Sequence, residues 1–428
     1  MTLAIETSCD DTSVAVVEKG SRTGRAIAQL HFYEKVTSNN TEYQGVHPLV
    51  SLLSHQENLA ALISEAVRYL PRKDGDASPK SGTSDPDMVD ITTRRLPDFI
   101  SVTRGPGMRS NLFTGLDTAK GLSVAWQIPL VGVHHMQAHA LTPRMVSALV
   151  ADDNYGTSED QTPPVHVCTR NSTSLCTPDF PFLSVLASGG HTLLIHSASL
   201  SDHRVLASTN DIAIGECLDK TARVVLPSEI LQTTKSTMYG ALLEAFALDP
   251  SLEGRTSRDA SSSAFMPNSS VHSAETYLNV YGHQYDWYQV PINQEDAIRR
   301  NTTKWGWALN LPFTTSSGGI KISSLEMSFS GTTTMVERIV RYGIDQTTGK
   351  LNKVERLAAD VSMEERKDLA RETMRVAFEH VASRVVLGLQ SLHHVPTAKP
   401  AIVVAGGVAA NSLLRYMQVC LYQVNCVR

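Results

Sequence analysis

Residues 182–196, FLSVLASGGHTLLIH, contain two apolar runs separated by a small polar turn. The runs 182–187 and 192–196 have the length and aliphatic composition of buried strands, and the SGGH between them is typical of a tight turn. The same arrangement opens the chain, where residues 2–18, TLAIETSCDDTSVAVVE, place a turn with three carboxylates between two apolar runs. The sequence therefore predicts two similar strand–turn–strand units.

Each opening has a matching later landmark. Residues 98–103 are predicted to form a buried strand that ends in a glycine turn before a helix, and 401–405 repeat this before a helix predicted over 409–417. Leucines and alanines at helical spacing predict an amphipathic helix over 49–66. A capping box at 362–365 predicts the start of a helix that runs to about 392. Strands followed by helices are typical of α/β layers.

These patterns predict an α/β fold in which two similar domains face each other across a central cleft. The predicted divisions are an N-terminal domain at 1–150, a linker or insertion at 151–180 and a C-terminal domain at 181–428. Polar stretches at about 71–96 and 253–317 are predicted surface insertions, because they hold too little apolar surface to form a core. Aromatic residues at 277–307 leave open whether the second insertion packs back onto the body.

The composition narrows the class of protein. The chain has 428 residues, of which 42% are hydrophobic and 19% charged, as in globular and unlike disordered proteins. A formal net charge of -5 excludes a wholesale basic coat but not a local basic patch. No run approaches the roughly 20 apolar residues that span a bilayer, and a strand predicted directly after Met1 argues against a secretory signal. The six cysteines form no C-x-x-C pair, which favours a reducing compartment over a zinc ribbon or disulfide framework.

The sharpest candidate for metal binding is a histidine pair. His135 and His139 follow a strand predicted at 130–133 and stand four residues apart. On a helix this spacing puts both imidazoles on one face, where they can bind one metal ion. The alternative is an exposed helix start with polar side chains. A zinc peptidase of the H-E-x-x-H type would need Glu in the second position, which Met136 occupies.

Three glycine turns after strands are candidates for phosphate binding. They lie at 105–107, 188–190 and 406–407. Glycine lets backbone N–H groups approach an anion closely, as phosphate binding requires. Each turn taken singly also fits an ordinary hairpin or helix entry, so their equivalent positions in the two halves are what favours a binding role.

Carboxylates mark two further candidate positions. The turn at 6–12 carries acidic side chains, which repel phosphate, so Asp10 and Asp11 are predicted to hold a cation or to orient water. Asp219 lies in GECLDKTAR at 215–223. It either accepts hydrogen bonds from a ribose or an amine, or belongs to a solvated, salt-bridged helix face.

Seven motifs taken together resemble one family. They are IETSCDDTSVAV (5–16), TRGPGMRSNLFTGL (103–116), VHHMQAH (133–139), LASGGHTLL (186–194), GECLDKTAR (215–223), SFSG (328–331) and AGGVAANSLLR (405–415). In these motifs and their order the chain resembles the tRNA N6-adenosine threonylcarbamoyltransferase family, also called O-sialoglycoprotein endopeptidase-like or glycoprotease. The opening IETSCDDT is similar to the bacterial and mitochondrial branch.

The resemblance implies an actin/sugar-kinase/Hsp70-type fold of two RNase H-like domains. It implies transfer of a threonylcarbamoyl group from threonylcarbamoyl-AMP to the N6 amine of the adenosine beside the anticodon, in tRNAs that read codons starting with A. One divalent metal ion, iron or zinc, is the expected cofactor, and tRNA and the enzyme that forms threonylcarbamoyl-AMP are the expected partners. The branch implies a mitochondrial location, although no transit peptide is visible, and the sequence leaves open a homodimer or accessory subunits. A mildly acidic chain would bind tRNA through a local, salt-sensitive patch, with Arg94, Arg95 and Arg104 as candidates.

The resemblance also assigns site residues. It makes His135 and His139 the metal ligands. It assigns substrate binding to Leu186, Ala187, Ser188, Gly189, Gly190, Asp219, Gly240 and Asn411. Gly240 is the weaker match, because the family's Gly-Gly-Pro turn is not evident around it. The predicted catalytic residues are Asp10, Asp11 and Ser188.

Two departures from the family pattern bear on activity. Gln137 stands where the family usually has Glu between the histidines, which changes the surroundings of the metal but not its ligation. The family's last metal ligand, an aspartate in a Cys-Thr-Asp-Asn motif, does not occur before Arg428. The sequence is then either part of a longer protein or that of a catalytically impaired relative that binds a nucleotide or partner. A metallopeptidase is the third hypothesis, disfavoured by Met136.

Overall fold

The computed structural model describes residues 1–22, 25–43, 45–73, 91–153, 176–234, 238–248, 278–279, 281–291, 296, 303–314, 323–345, 347–392 and 401–426. It divides into two compact units, Met1–Pro163 with Arg170–Pro178, and Pro164–Thr169 with Asp179–Arg428. Much of the three predicted insertions lies outside the described residues. Both units combine helices with one sheet each, so the chain is a mixed α/β protein.

The first unit contains a five-stranded sheet. Its strands are β1 (Thr2–Glu6), β2 (Asp11–Arg22), β3 (Arg25–Thr37), β4 (Phe99–Gly105) and β5 (Leu130–His134). Strands β1, β2 and β3 are antiparallel neighbours, whereas β4 runs parallel to β1 and β5 parallel to β4, giving the order β3-β2-β1-β4-β5. Its helices are α1 (Pro48–Arg68), α2 (Arg109–Trp126) and α3 (His135–Asp153).

Alternating burial explains why the first strands pair as they do. Leu3 and Ile5 of β1 and Val14 and Val16 of β2 are at most 2% exposed. Since side chains alternate between the two faces of a strand, these residues share one face and pack beneath it. The helix predicted over 49–66 is α1, and it buries Leu59, Leu62, Ile63 and Ala66 in the same core.

The second unit repeats the strand order of the first. Its strands are β6 (Phe182–Ala187), β7 (Thr192–Ser197), β8 (His203–Ser208) and β9 (Ala401–Ala405). Strands β6, β7 and β8 are antiparallel neighbours, and β9 runs parallel to β6 in the order β8-β7-β6-β9. This matches β3-β2-β1-β4 in order and direction. The two predicted strand–turn–strand openings and the two later strands are confirmed, and the structure adds that each later strand pairs parallel to the first strand of its opening.

The helices of the second unit enclose its core. They are α4 (Ile214–Val225), α5 (Ser228–Thr233), α6 (Tyr239–Leu248), α7 (Ser330–Tyr342), α8 (Met363–Ser391) and α9 (Ser412–Cys426). The predicted N-cap is confirmed, since the Ser362 hydroxyl oxygen accepts from the Glu365 backbone N–H at 3.1 Å. The Glu365 carboxylate accepts from Trp307 and Arg356, so the second bond of a capping box is not made by this pair. None of the helices among the described residues is long and apolar enough to cross a membrane.

The predicted start of α9 is wrong. A short 3-10 turn occupies Gly407–Ala410, and the helix begins at Ser412 instead of 409. Asn411 causes the delay, because its side-chain oxygen accepts from the Leu414 N–H at 3.1 Å and so acts as the N-cap.

Part of the aromatic segment is core. Trp307 and Tyr285 are at most 1% exposed and pack with the main cluster of the second unit. The Trp307 indole N–H donates to Glu365 at 3.2 Å, which satisfies its polar atom. The sequence left open whether the aromatic segment packs onto the rest of the protein, and Trp307 and Tyr285 do so in the core of the second unit.

A buried histidine links α8 to the start of α7. His380 is 1% exposed, and its Nε2 accepts from the Ser328 backbone N–H at 3.2 Å. Asp211 accepts hydrogen bonds from Ser328 and from the Phe329 and Ser330 N–H groups at the same helix start. Burial lowers the pKa of His380 to about 3, helped by nearby Arg384 and opposed by Asp211.

We expect His380 to make stability depend on pH. Between pH 7 and 5 the unfolded chain protonates this imidazole, whose ordinary pKa is about 6.5, while the folded chain does not. The free energy of unfolding should fall over this range by about 2 kcal/mol more in the wild type than in His380→Gln, which keeps an acceptor for Ser328. Urea unfolding at both pH values measures this, with His203→Gln on β8 as the control. Equal pH dependence in wild type and His380→Gln would contradict the assignment.

Candidate functional site

In the first unit, the turn after β1 is held against the start of α2. The Met108 N–H donates to the Ser8 carbonyl at 2.8 Å, and the Asn111 amide donates to the Cys9 carbonyl at 2.6 Å. The Thr7 hydroxyl donates to the Asn111 carbonyl at 2.8 Å. Gly107 permits this contact, because a Cβ there would lie 2.6 Å from the Ser8 carbonyl oxygen. Gly107, the last residue of the glycine turn at 105–107, therefore allows the turn to pack closely against Ser8.

The histidine pair lies at the start of α3, directly after β5. His135 is the first residue of the helix and His139 follows one turn later, as predicted. Their Nε2 atoms are 3.2 Å apart, and the two rings are nearly perpendicular with centroids 4.5 Å apart. The two Nε2 atoms thus lie within hydrogen-bond distance of each other.

Glu6 lies behind this pair. The Nδ1 atom of His135 is 3.2 Å from the Ser8 hydroxyl and 3.5 Å from the Glu6 carboxylate. Burial alone would raise the pKa of Glu6, but hydrogen bonds from His135, Ser8 and Thr103 outweigh it and lower the pKa to about 2. Glu6 is therefore ionised at neutral pH, and its charge favours a proton on Nδ1 of His135, which leaves Nε2 as the lone-pair donor.

The predicted catalytic aspartates make other contacts. Asp11 binds the Lys35 ammonium at 2.9 Å and the Thr37 hydroxyl, both on β3. Asp10 follows the exposed Cys9 in the same turn, and its negative charge raises the pKa of that thiol. The carboxylate of this turn that contacts His135 is thus Glu6. Within the described ranges, no group of three or more His, Cys, Asp or Glu side chains forms a metal cage.

In the second unit, the turn between β6 and β7 is braced from both sides. The Ser188 N–H donates to the His191 carbonyl at 2.9 Å, and the His191 N–H donates to the Ser188 hydroxyl at 3.0 Å. Gly215, at the start of α4, lies so close that a Cβ there would be 2.6 Å from the Ser188 carbonyl oxygen. Gly189 and Gly190 are exposed, and neither N–H has a hydrogen-bond partner in the described part of the chain. The turn therefore presents rigid, unused donors.

The structure brings Asp219 and Gly240 together. The Gly240 N–H, in the first turn of α6, donates to an Asp219 carboxylate oxygen at 2.8 Å. Burial raises the pKa of Asp219, opposed by this hydrogen bond and by the Arg223 charge. Gly240 thus supports Asp219, a contact that the sequence did not indicate.

At the start of α9, side-chain oxygens of the chain itself accept hydrogen bonds from the backbone N–H groups. Asn411 caps the Leu414 N–H, while Glu244 on α6 accepts from the Ser412 N–H at 2.7 Å and from the Ser412 hydroxyl. The Tyr285 hydroxyl closes the cluster by contacting the Ser412 hydroxyl. Sequence reasoning missed Glu244, Ser412 and Tyr285, since no local spacing links residues more than 100 positions apart.

Comparisons with known proteins agree with the motifs. A family model described as tRNA N6-adenosine threonylcarbamoyltransferase (TsaD) matches residues 89–152 and 164–264. The mitochondrial tRNA N6-adenosine threonylcarbamoyltransferase of Schizosaccharomyces pombe is 30% identical over 419 residues, 97% of this chain and 71% of that protein. The chain belongs to this family. By that membership it is a transferase.

Bacterial threonylcarbamoyltransferases align over shorter stretches. The protein of Methylorubrum populi is 32% identical over 52% of this chain and 50% of its own length. That of Brucella anthropi is 30% identical over 69% of this chain and 65% of its own length. The family model covers His135 and His139 in one match and Ser188, Asp219 and Gly240 in the other.

We expect the braced turn to be intolerant of a side chain at Gly215. Gly215→Ala should lower the free energy of unfolding by about 1–3 kcal/mol, because the new methyl group would overlap Ser188 and Gly189. The matched control is Gly331→Ala at the start of α7, where a Cβ meets nothing within 4 Å, and it should be neutral or stabilising by up to about 1 kcal/mol. Urea denaturation compares them, and equal stability of the two variants would contradict this account.

Proposed function

We propose that the chain transfers the threonylcarbamoyl group of threonylcarbamoyl-AMP to the N6 amine of the adenosine beside the anticodon of tRNAs that read A-starting codons. Family membership supports this reaction. The observation that carries it is the His135–His139 pair with a carboxylate behind one ring. A metallopeptidase is not favoured, because the position where its general base would stand is Met136, which is 5% exposed.

The histidine geometry fits one shared metal ion. Ligand bonds of about 2.0–2.1 Å at a tetrahedral angle place two nitrogens about 3.3 Å apart, close to the 3.2 Å between the two Nε2 atoms. Imidazole suits both zinc and iron, the two metals that the resemblance implies. His135 and His139 would supply two ligand positions, and Glu6 and Ser8 would hold the His135 ring.

The chain's own residues then bind and orient the donor. Gly189 and Gly190 would donate their N–H groups to the adenylate phosphate, and the Ser188 hydroxyl lies beside them. The unshared oxygen of Asp219 would accept from a ribose hydroxyl, while Gly240 fixes the other oxygen. A bound divalent ion supplies positive charge that polarises a substrate oxygen. The amine nitrogen bonds to the carbamoyl carbon, the bond from that carbon to the phosphate oxygen breaks, and AMP and one proton leave.

The repeated strand order supports the finer fold proposal. The order β3-β2-β1-β4 of the first sheet is repeated as β8-β7-β6-β9 in the second, and each sheet lies in its own unit. Two RNase H-like domains of the actin/sugar-kinase/Hsp70 type require such a repeat. The domain limits 1–150 and 181–428 remain a proposal. Leu186 and Ala187 belong to β6 and are buried, so they would act through the backbone at the edge of the donor-binding turn.

Partners and location follow from the same proposal. The chain would receive its donor from the enzyme that forms threonylcarbamoyl-AMP, act on tRNA and work in mitochondria, as the name of the fission-yeast relative states for that protein. Of the candidate tRNA-binding arginines, Arg95 pairs with Glu18 and Arg94 donates to the Leu70 carbonyl at 2.9 Å. Arg104 is exposed and its side chain makes no ion pair or hydrogen bond within the described residues, so it is the better candidate.

We expect transfer to depend on both histidines. The wild type, incubated with tRNA, threonine, bicarbonate, ATP and the adenylate-forming enzyme, should yield modified adenosine detectable by mass spectrometry of digested tRNA. His135→Ala/His139→Ala should lower the rate at least about 100-fold, because the metal site is lost. His203→Ala, in the other unit, is the control. Persistent transfer in the double variant would sink the site assignment, and a wild type without product would favour the impaired relative.

Glu6 should set metal affinity without being a ligand. Glu6→Gln keeps the shape of the side chain but removes the charge behind His135, so the affinity for zinc should fall about 10–100-fold. Titration against a competing chelator measures this, and Glu34→Gln on the exposed side of β3 is the matched control. Unchanged affinity in Glu6→Gln would show that the carboxylate does not support the metal site.

A further inference from the structure

One buried carboxylate in the second unit has no assigned role. Glu244 of α6 is 7% exposed, and one of its oxygens accepts from both the N–H and the hydroxyl of Ser412. The Leu413 N–H also donates to this carboxylate. Burying a charged group is costly unless it is well paired, and here the partners are the first N–H groups of α9, where the helix dipole favours negative charge.

The start of α9 is consequently closed to an external anion. Glu244 takes the Ser412 and Leu413 donors, and Asn411 takes the Leu414 N–H. Tyr285, 0% exposed, covers the same hydroxyl of Ser412. A glycine-rich turn before a helix predicts a phosphate site, but at this helix the protein itself occupies the donors.

The helix that carries Glu244 also carries Gly240, one turn earlier. Gly240 holds Asp219 through its N–H at 2.8 Å. Glu244 holds Ser412, which directly follows Asn411. Helix α6 therefore contacts Asp219 through its first turn and, one turn later, Ser412, the residue after Asn411. A change in the contact between Glu244 and α9 would move α6 and alter both.

We infer that Glu244 is a positioning residue that fixes α6 against the start of α9 and thereby holds Asp219 in place for the donor. The inference rests on the proposed function, in which Asp219 binds the adenylate ribose. The hydrogen bonds of Glu244 are to Ser412 and Leu413, so it acts on the donor site through other residues. Its loss should therefore weaken donor binding more than it slows the transfer step.

Steady-state kinetics tests this. Glu244→Ala should raise KM for threonylcarbamoyl-AMP about tenfold while kcat at saturating donor changes less than about threefold. Glu244→Gln keeps an oxygen that can accept from Ser412 and should restore KM to within about threefold of the wild type. Glu337→Gln, exposed on α7, is the matched control and should leave both constants unchanged.

Hydrogen exchange separates local from global effects. In Glu244→Ala the amides of Gly240 and Ser412 should exchange at least about tenfold faster, while those of β6 keep wild-type protection. If Glu244→Ala does not fold, Ser412→Ala, which removes only the hydroxyl partner, should still raise KM about threefold. A folded Glu244→Ala with wild-type KM and exchange would overturn the inference, as would a Ser412→Ala with wild-type KM. A wild type without transfer would instead refute the proposed function, and the exchange result would still decide whether Glu244 couples α6 to α9.

Discussion

The parallel pairing of a late strand with the first strand of each unit is the constraint on which both candidate sites depend. Strand β4 joins β1 across more than 90 residues, and β9 joins β6 across more than 200. Parallel neighbours end at the same edge of a sheet, so the turns that follow them meet there. In the first unit this places Met108 against Ser8, and in the second it places Gly406 against Ala187, where a Cβ would be 2.3 Å from the carbonyl oxygen.

Three buried or half-buried carboxylates, those of Glu6, Asp219 and Glu244, show how hydrogen-bond donors and burial together set the pKa of a carboxyl group. Glu6 receives hydrogen bonds from three residues, and its pKa falls despite burial. Asp219 and Glu244 have donors too, but burial dominates and the pKa of each is raised. Glu6 is therefore suited to hold a metal-bound imidazole, whereas burial disfavours the charged form of Asp219 and Glu244, which act as hydrogen-bond acceptors.

The sequence predicted what periodicity and turn chemistry control, and missed what packing controls. The strands of both openings, the placement of His135 and His139 on one helix face, and the cap at Ser362 follow from local patterns. The contact between Glu6 and His135 joins positions 129 residues apart, and that between Glu244 and Ser412 joins positions 168 apart, so neither has a local signal. The late start of α9 was missed because an Asn cap outweighs the helix propensity of the alanines before it.

The two glycine turns of the second unit differ because of what their neighbours do. After β6 the donors of Gly189 and Gly190 stay exposed, since the bracing bonds are made by Ser188 and His191 on either side. After β9 the N–H groups at the start of the next helix are taken by a carboxylate from α6. An anion-binding turn requires donors that the fold leaves unused, and glycine content cannot reveal this. Side chains from outside the two turns therefore decide which of them is open to a phosphate.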